Sequence, residues 1–212
     1  IKANISPLME GHSLFLPHFA KILPQYISSV DLLNVQGTIV EFELKGLIDD
    51  WIAGFNSVGA FSSVNHLHFH LFPMELPAFF PSKAGAHEHG LYTAFCHDSL
   101  ESAFTMIARL QEQNHPFNLV LTCQHVHVIP RQSQNTYISA PGGINHATLE
   151  LIGPTPVRSL ETFERSDLAQ HNWNLIQKNL RVDQDSLNFD QLNLLLRNPN
   201  PTHAGFWGFG VL

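Results

Sequence analysis

Residues 66–72 read His66-Leu67-His68-Phe69-His70-Leu71-Phe72, preceded by Asn56-Ser57-Val58-Gly59-Ala60-Phe61-Ser62-Ser63-Val64-Asn65. Polar and apolar residues alternate with period two, which is the pattern of a half-buried strand. Residues i, i+2 and i+4 of a strand share a face. His66, His68 and His70 are thus expected on one side of a strand spanning Ser62 to Phe72, with Leu67, Phe69 and Leu71 entering a core on the other. The run from Asn56 to Ser63 is rich in small residues and contains Gly59. It predicts a turn whose backbone N–H groups approach an anion closely.

On spacing alone three readings stand. Imidazoles beside an anion-holding turn suit chemistry on a phosphate. A His-x-His-x-His strand is also a metal-ligand pattern, because neutral imidazole is the commonest protein ligand for metals. The third reading is structural, with the three histidines merely half-exposed.

Composition narrows the classes. The chain has 212 residues and is 44% hydrophobic, enough for a sizeable core. Only 14% of it is charged, against about 25% in ordinary domains. With 16 Phe, this implies much buried surface and leaves room for a subunit interface, as in a homodimer. A net charge of −7 argues against nucleic acid as a partner, which needs basic surface. It leaves a small anionic ligand open. Cys96 and Cys123 form no disulfide framework and no Cys-x-x-Cys pair, so a reducing, cytoplasmic setting is expected. No apolar run approaches the roughly 18 residues of a membrane span, and no signal peptide is visible.

The flanks of the triad favour phosphate chemistry. His66 to Phe72 resembles the His-φ-His-φ-His-φ-φ signature of the histidine-triad superfamily, φ being apolar, and Ser63 stands where that family has a serine. Pro7-Leu-Met-Glu-Gly11-His12-Ser-Leu-Phe-Leu-Pro17 is similar to the family's upstream strand. Within the superfamily the chain resembles the GDP-hexose phosphorylases over residues 4–166. The likeness rests on Asn4 to Pro17, on Leu23-Pro24-Gln25, on Gly54 to Phe69, on His115 to Thr122 with Val128 to Arg131, and on Leu149 to Gly153. The resemblance implies an α+β fold with an antiparallel sheet and flanking helices, residues 1–166 forming the nucleotidyltransferase domain. Residues 167–212 are expected as a helical extension packed on it.

The resemblance also implies a mechanism. His68 is the nucleophile that takes up a nucleotidyl group, His70 contacts phosphate oxygens and passes a proton, and His66 supports. Ser63, Asn56, Ser57 and Gly59 are expected to bind phosphate. The implied substrates are a nucleotide sugar and inorganic phosphate. No cofactor is expected, and no metal either: some distant relatives carry a structural zinc, but no thiolate pair supports one here. Relatives that are hydrolases carry His at the third triad position and many transferases carry Gln. His70 therefore keeps open the hydrolysis of nucleotide conjugates or dinucleoside polyphosphates. A nucleotide- or metal-binding module without turnover is the alternative of another class. Arg131 reads equally as a phosphate ligand or an exposed hairpin-end residue, and His87, His89, His97, His125 and His127 as solvated histidines or metal ligands.

Along the chain, Gly11 and His12 read as an active-site edge or, more plainly, as a turn before a strand at Ser13 to Leu16, and 18–30 as a helix broken at Pro24. Residues 31–50 carry conflicting signals. Thr38 to Leu44 has strand propensity, yet Leu33, Val40, Leu44 and Leu47 lie near one helical face, and the family resemblance favours the helix. Residues 73–90, with three prolines and two glycines, read as an ordered loop burying Phe79 and Phe80. Leu91 to Phe95 reads as a strand. Asp98 to Asn114 reads as a helix capped by Asp98, with a stripe of Leu100, Phe104, Ile107 and Ala108. Phe117 to Thr122 and Val126 to Ile129 form a hairpin, and His146 to Ile152 a further strand. Helices are expected over 166–180 and 189–196, with an apolar tail at 205–210.

Overall fold

A five-residue strand with every residue buried, β3 (Ile52–Asn56), lies at the middle of the sheet. The structure, a computed structural model, describes residues 1–46, 50–88, 93–134 and 146–154. The other strands are β1 (Lys2–Ala3), β2 (Ser13–Phe15), β4 (Phe69–Phe72), β5 (Gly85–Glu88), β6 (Thr93–His97), β7 (Phe117–Leu121) and β8 (Val126–Pro130). Together the eight make one sheet in the order β1-β2-β4-β3-β7-β8-β6-β5, with each neighbouring pair antiparallel.

Two helices cover one face. The first, α1 (Ser29–Leu44), starts at a capping box: the Ser28 hydroxyl accepts the Asp31 N–H, and the Asp31 carboxylate accepts the Ser28 N–H. This cap and the burial of Leu32, Val35 and Ile39 outweigh the strand propensity of Thr38 to Leu44. The buried stripe is one residue out of register with the expected one, since Leu33 and Leu44 face solvent. The second helix, α2 (Leu100–Glu112), is capped by Ser99, whose hydroxyl accepts the Ser102 N–H. Asp98 is not the cap, because its carboxylate is turned toward His125. Ala103, Met106, Ile107 and Leu110 of α2 are fully buried, with Leu100 and Phe104 packed at their edge.

Alternation sorts the strands cleanly. Ala53, Phe55, Phe69, Leu71, Leu119, Leu121, Val126 and Val128 enter the core beneath α1 and α2. Ile52, Phe72, Phe80, Val120 and Ile129 form a second core on the opposite face. There a short helix, α3 (Thr148–Leu151), replaces the strand expected from His146 to Ile152. It seats on Gly54, where a Cβ would lie 2.9 Å from Thr148 Cγ2. Gly54 is thus held by close approach rather than by a turn.

Other expectations are corrected. Residues 18–30 contain no helix before Ser29, and β1, β3 and β5 are strands the sequence did not announce. Phe80 is buried as expected, but Phe79 is half-exposed. The triad strand is shorter than its alternation implies, beginning at Phe69 rather than Ser62. Residues 89–92, and hence His89 and the start of the expected Leu91 strand, lie outside the described residues, as do 155–212 with their expected helices and tail.

Candidate active site

The β3–β4 ladder ends at Gly54↔His70, and continuing that register would bring Phe55 opposite Phe69 and then Asn56 opposite His68. A side chain occupies the gap. Gln25, buried, donates from Nε2 to the carbonyls of Asn56 (2.9 Å) and His68 (3.3 Å), and its Oε1 accepts the His68 N–H (3.1 Å). One carboxamide substitutes for the backbone of a strand partner, and this is why the strand starts late. The preceding residues are tied to the segment before Gln25 instead. Leu67 N–H donates to Leu23 O (2.9 Å), and the His66 ring lies 3.3 Å from Lys21 O. The three histidines therefore do not line one strand face. His70 is in β4, His68 just precedes it, and the His66 ring turns away.

What His66 supplies is its carbonyl. His68 Nδ1 lies 2.7 Å from His66 O. A carbonyl only accepts, so Nδ1 carries the proton and Nε2 carries the lone pair. His68 is buried, and desolvation lowers its pKa below 6.5. The bond to His66 O opposes that shift, and the neighbouring His66 ring adds to it. The result at neutral pH is a neutral imidazole of fixed tautomer with a nucleophilic Nε2.

A second chain of bonds fixes His70. The Leu8 backbone N–H donates to His12 Nδ1 (3.1 Å), so His12 carries its proton on Nε2. His12 Nε2 lies 3.0 Å from His70 Nδ1. That nitrogen must then accept, and the His70 proton sits on Nε2. The Asn4 amide lies against the His12 ring, with Nδ2 3.4 Å from Nδ1 and 3.2 Å from Nε2. Its Oδ1 accepts the Ser6 N–H. Burial lowers His12 to about 4. His70 falls to about 3 through burial first, then the rings of His68 and His12. Both stay neutral across the physiological range. The His68 and His70 ring centroids are 5.1 Å apart, a lone-pair nitrogen on one ring and an N–H donor on the other.

The turn after β3 is built on a buried polar network. Asn56 Oδ1 accepts from Asn118 Nδ2 (2.7 Å), the Thr148 N–H (2.9 Å) and the Thr148 hydroxyl (2.7 Å). This orients Asn56 Nδ2 as the outward donor, and no hydrogen bond among the described residues occupies it. Ser57 is buried and its hydroxyl accepts the Phe117 N–H (2.8 Å), so that oxygen is committed to the sheet. Gly59 has φ +83°, and a Cβ there would lie 3.0 Å from Pro116 Cγ. The N–H groups of Ser57, Ala60 and Phe61 are taken by Phe117 O, Ser57 O and Gln134 Oε1. Ser63 is exposed on the loop that leads to His66.

Sequence reasoning does not single out Gln25, and it reads His12 as a strand-start turn in preference to an active-site edge, although both lie in stretches that resemble the phosphorylases. Arg131 is neither a surface residue nor open to a ligand. It is fully buried and donates to Asn118 Oδ1 (2.8 Å) and to the His146 carbonyl. Nearby, burial pushes the Glu150 carboxyl up to about 7 against the opposing pull of backbone N–H groups and of Arg131.

Comparison with known proteins gives the chain's relatives. Residues 1–72 match the family model described as GDPGP1-like, N-terminal domain. GDP-D-glucose phosphorylase 1 of Xenopus laevis is 40% identical over 81 residues, covering 38% of this chain and 19% of the relative. The human GDP-D-glucose phosphorylase 1 is 29% identical over 194 residues, covering 76% of this chain and 49% of the relative. GDP-L-galactose phosphorylase 1 of Arabidopsis thaliana is 34% identical over 77 residues, 36% of this chain and 16% of the relative. Its relatives are GDP-hexose phosphorylases. The chain spans at most about half the length of these curated relatives.

The fold is that of the yeast Ap4A phosphorylase Apa2, whose complex with Ap4A superposes with a TM-score of 0.58. That match has 17% identity and covers 80% of this chain and 68% of Apa2. The α+β architecture expected from the histidine-triad resemblance is therefore present. Among the described residues no helix is long and apolar enough to cross a membrane.

Proposed function

We propose that this chain carries a phosphorylase site that cleaves a nucleoside diphosphate hexose of the GDP-glucose type, with inorganic phosphate as acceptor, through a nucleotidyl-His68 intermediate. The observation that carries the reading is the 2.7 Å bond from His68 Nδ1 to the His66 carbonyl, which leaves Nε2 as a neutral nucleophile. In the first step Nε2 attacks the α-phosphorus, the bond from that phosphorus to the bridging oxygen breaks, and hexose 1-phosphate leaves. In the second step a phosphate oxygen attacks the same phosphorus, the P–N bond breaks, and the nucleoside diphosphate forms. Splitting the transfer in two is the usual gain of covalent catalysis. Asn56 Nδ2, the Ser63 hydroxyl and the Gly59 N–H are the groups proposed to hold phosphate oxygens as charge spreads over them.

The state of His70 supports phosphate over water as the acceptor. Water needs a general base, whereas phosphate arrives already anionic. His70 Nδ1 is taken by the His12 N–H, and its Nε2 is a donor. In this tautomer His70 hydrogen-bonds to a phosphate oxygen as a glutamine amide would, and it does not activate water. The substrates proposed, a nucleotide sugar and phosphate, are those in the relatives' names.

The test is turnover of a panel of nucleotide sugars and dinucleoside polyphosphates, with and without phosphate, with products resolved by chromatography. The expected result is strong stimulation by phosphate and release of a nucleoside diphosphate. Phosphate-independent release of the monophosphate would replace phosphorolysis with hydrolysis.

A further inference from the structure

The site just described lies where β4 begins, β3 ends, β7 begins and β8 ends. At the opposite end of the strands stands a second cluster that this chemistry does not use. β6 and β8 pair with Cys96 opposite His127 and His97 opposite Val126, so one step further Asp98 comes opposite His125. Alternation places Cys96 and Asp98 on the same face as His125 and His127, away from α2, whose Ser102 hydroxyl bonds to His97.

Within this cluster Cys96 Sγ, a carboxylate oxygen of Asp98 and a ring nitrogen of His125 all lie within 4.8 Å of one another. His125 Nδ1 is the informative atom. It is buried and 3.2 Å from Asp98 Oδ1, close enough for an ion pair, yet it is not aligned for a hydrogen bond with any described residue. The backbone that carries it is rigid, since the His125 N–H donates to the Thr122 hydroxyl (3.0 Å) and the His125 carbonyl accepts the Thr122 N–H (2.9 Å). Asp98 is 62% exposed at its side chain and His125 only 19%, so the cluster opens to solvent on the carboxylate side.

We propose that Cys96, Asp98 and His125 bind one divalent cation of the zinc type, clamping the end of β6 to the β7–β8 turn. Thiolate, imidazole and carboxylate form a donor set suited to a tetrahedral borderline ion, with water in the fourth position. On binding, the Cys96 thiol gives its proton to solvent and its sulfur becomes a metal ligand. The three ligands come from two segments 27 residues apart at their nearest, Asp98 and His125, so the ion would join parts of the sheet rather than close a local loop.

The experiment uses the full 212-residue chain, stripped of metal by chelation and titrated with Co²⁺ and then Zn²⁺. The expected result is a thiolate-to-cobalt charge-transfer band that saturates at one equivalent and is bleached by zinc. Cys96→Ser should abolish the band. Asp98→Asn and His125→Ala should each weaken binding by at least about tenfold, since changes outside the ligand shell alone cost roughly 10–100-fold. Cys123→Ser and His68→Ala should leave the titration unchanged. No band, a band that survives Cys96→Ser, or equal affinity in Asp98→Asn would each overturn the proposal. The last variant alters an exposed side chain, so it decides the matter even if Cys96→Ser does not fold.

Discussion

Replacing His12 by phenylalanine isolates the hydrogen-bond chain that sets the His70 tautomer. A ring remains against Phe72, whose centroid lies 4.6 Å from that of His12, while both nitrogens are lost. The Leu8 N–H loses its acceptor and His70 Nδ1 loses its donor. His12 is 4% exposed, so water does not readily replace the lost partner. Leaving a buried polar group unsatisfied costs about 1–3 kcal/mol, and here that cost falls on the tautomer with the proton on Nε2. The donor form of His70 should drop relative to the acceptor form by roughly 5- to 150-fold, at about 1.4 kcal/mol per factor of ten. The proposed phosphorolysis should slow by the fraction of the donor form that is lost, about twofold if the two tautomers become equal. Some hydrolysis should appear, because the released Nε2 lone pair can now take a proton from water. Chromatography of nucleoside diphosphate against monophosphate, with a thermal melt to confirm folding, measures both effects. Unchanged phosphorolysis and an unchanged product ratio would refute the tautomer argument.

Other expectations follow from the same groups. His68→Ala should abolish turnover while the melt persists, and intact-mass analysis of the unaltered protein with substrate should show a nucleotidyl adduct that is absent from the variant. His70→Gln keeps an N–H donor and should cost little in phosphorolysis; a loss on the order of 10² or more would mean that His70 works as an acid or base. Burial holds His68 below 6.5, so its Nε2 stays unprotonated to lower pH than a free imidazole. The acid limb of a kcat/KM profile should therefore fall below pH 6.5, and a midpoint above that value would contradict the site's electrostatics. Asn118→Leu removes the donor to Asn56 Oδ1 and the acceptor of Arg131 in one buried step. It should destabilise by about 2–4 kcal/mol in denaturant melts, because it leaves buried polar and charged groups unsatisfied.

Helix α2 and the β7–β8 hairpin were legible because each rests on local signals, an apolar stripe and a turn, whereas α1 was read through the family resemblance because its local signals conflict. The triad was legible as a candidate site but not as geometry. Alternation from His66 to Leu71 predicts a continuous strand, and only the inserted Gln25 carboxamide, 43 residues from His68, shows why the ladder stops. The same distance problem hid His12, which acts through His70, 58 residues away. β3 went unread because a strand buried on both faces has no alternation to display. The stretch from His146 reads as a strand from its apolar content. It is a helix because Gly54 leaves room for Thr148, and Asn56 accepts the Thr148 N–H. Arg131 was misjudged for a related reason, since the groups that satisfy it, Asn118 and the His146 carbonyl, come from separate segments.

The family model ends at Phe72, but the molecule has no seam there. All three triad histidines, His12, Gln25 and Asn56 precede that point, so a fragment cut after Phe72 would hold these groups on paper. Yet β3 would become an outer strand with its β7 side bare, exposing the backbone that now pairs Ala53 with Leu121 and Asn56 with Asn118. Unpaired, flat and hydrophobic, such an edge recruits other chains rather than folding alone. Helix α2, which packs on β6, β8 and α1 and shares one core with Phe69 and Leu71, would be gone as well. The smallest unit that can keep His68 in register therefore extends at least through β7, and the candidate site is a property of the assembled sheet rather than of the segment that encodes it.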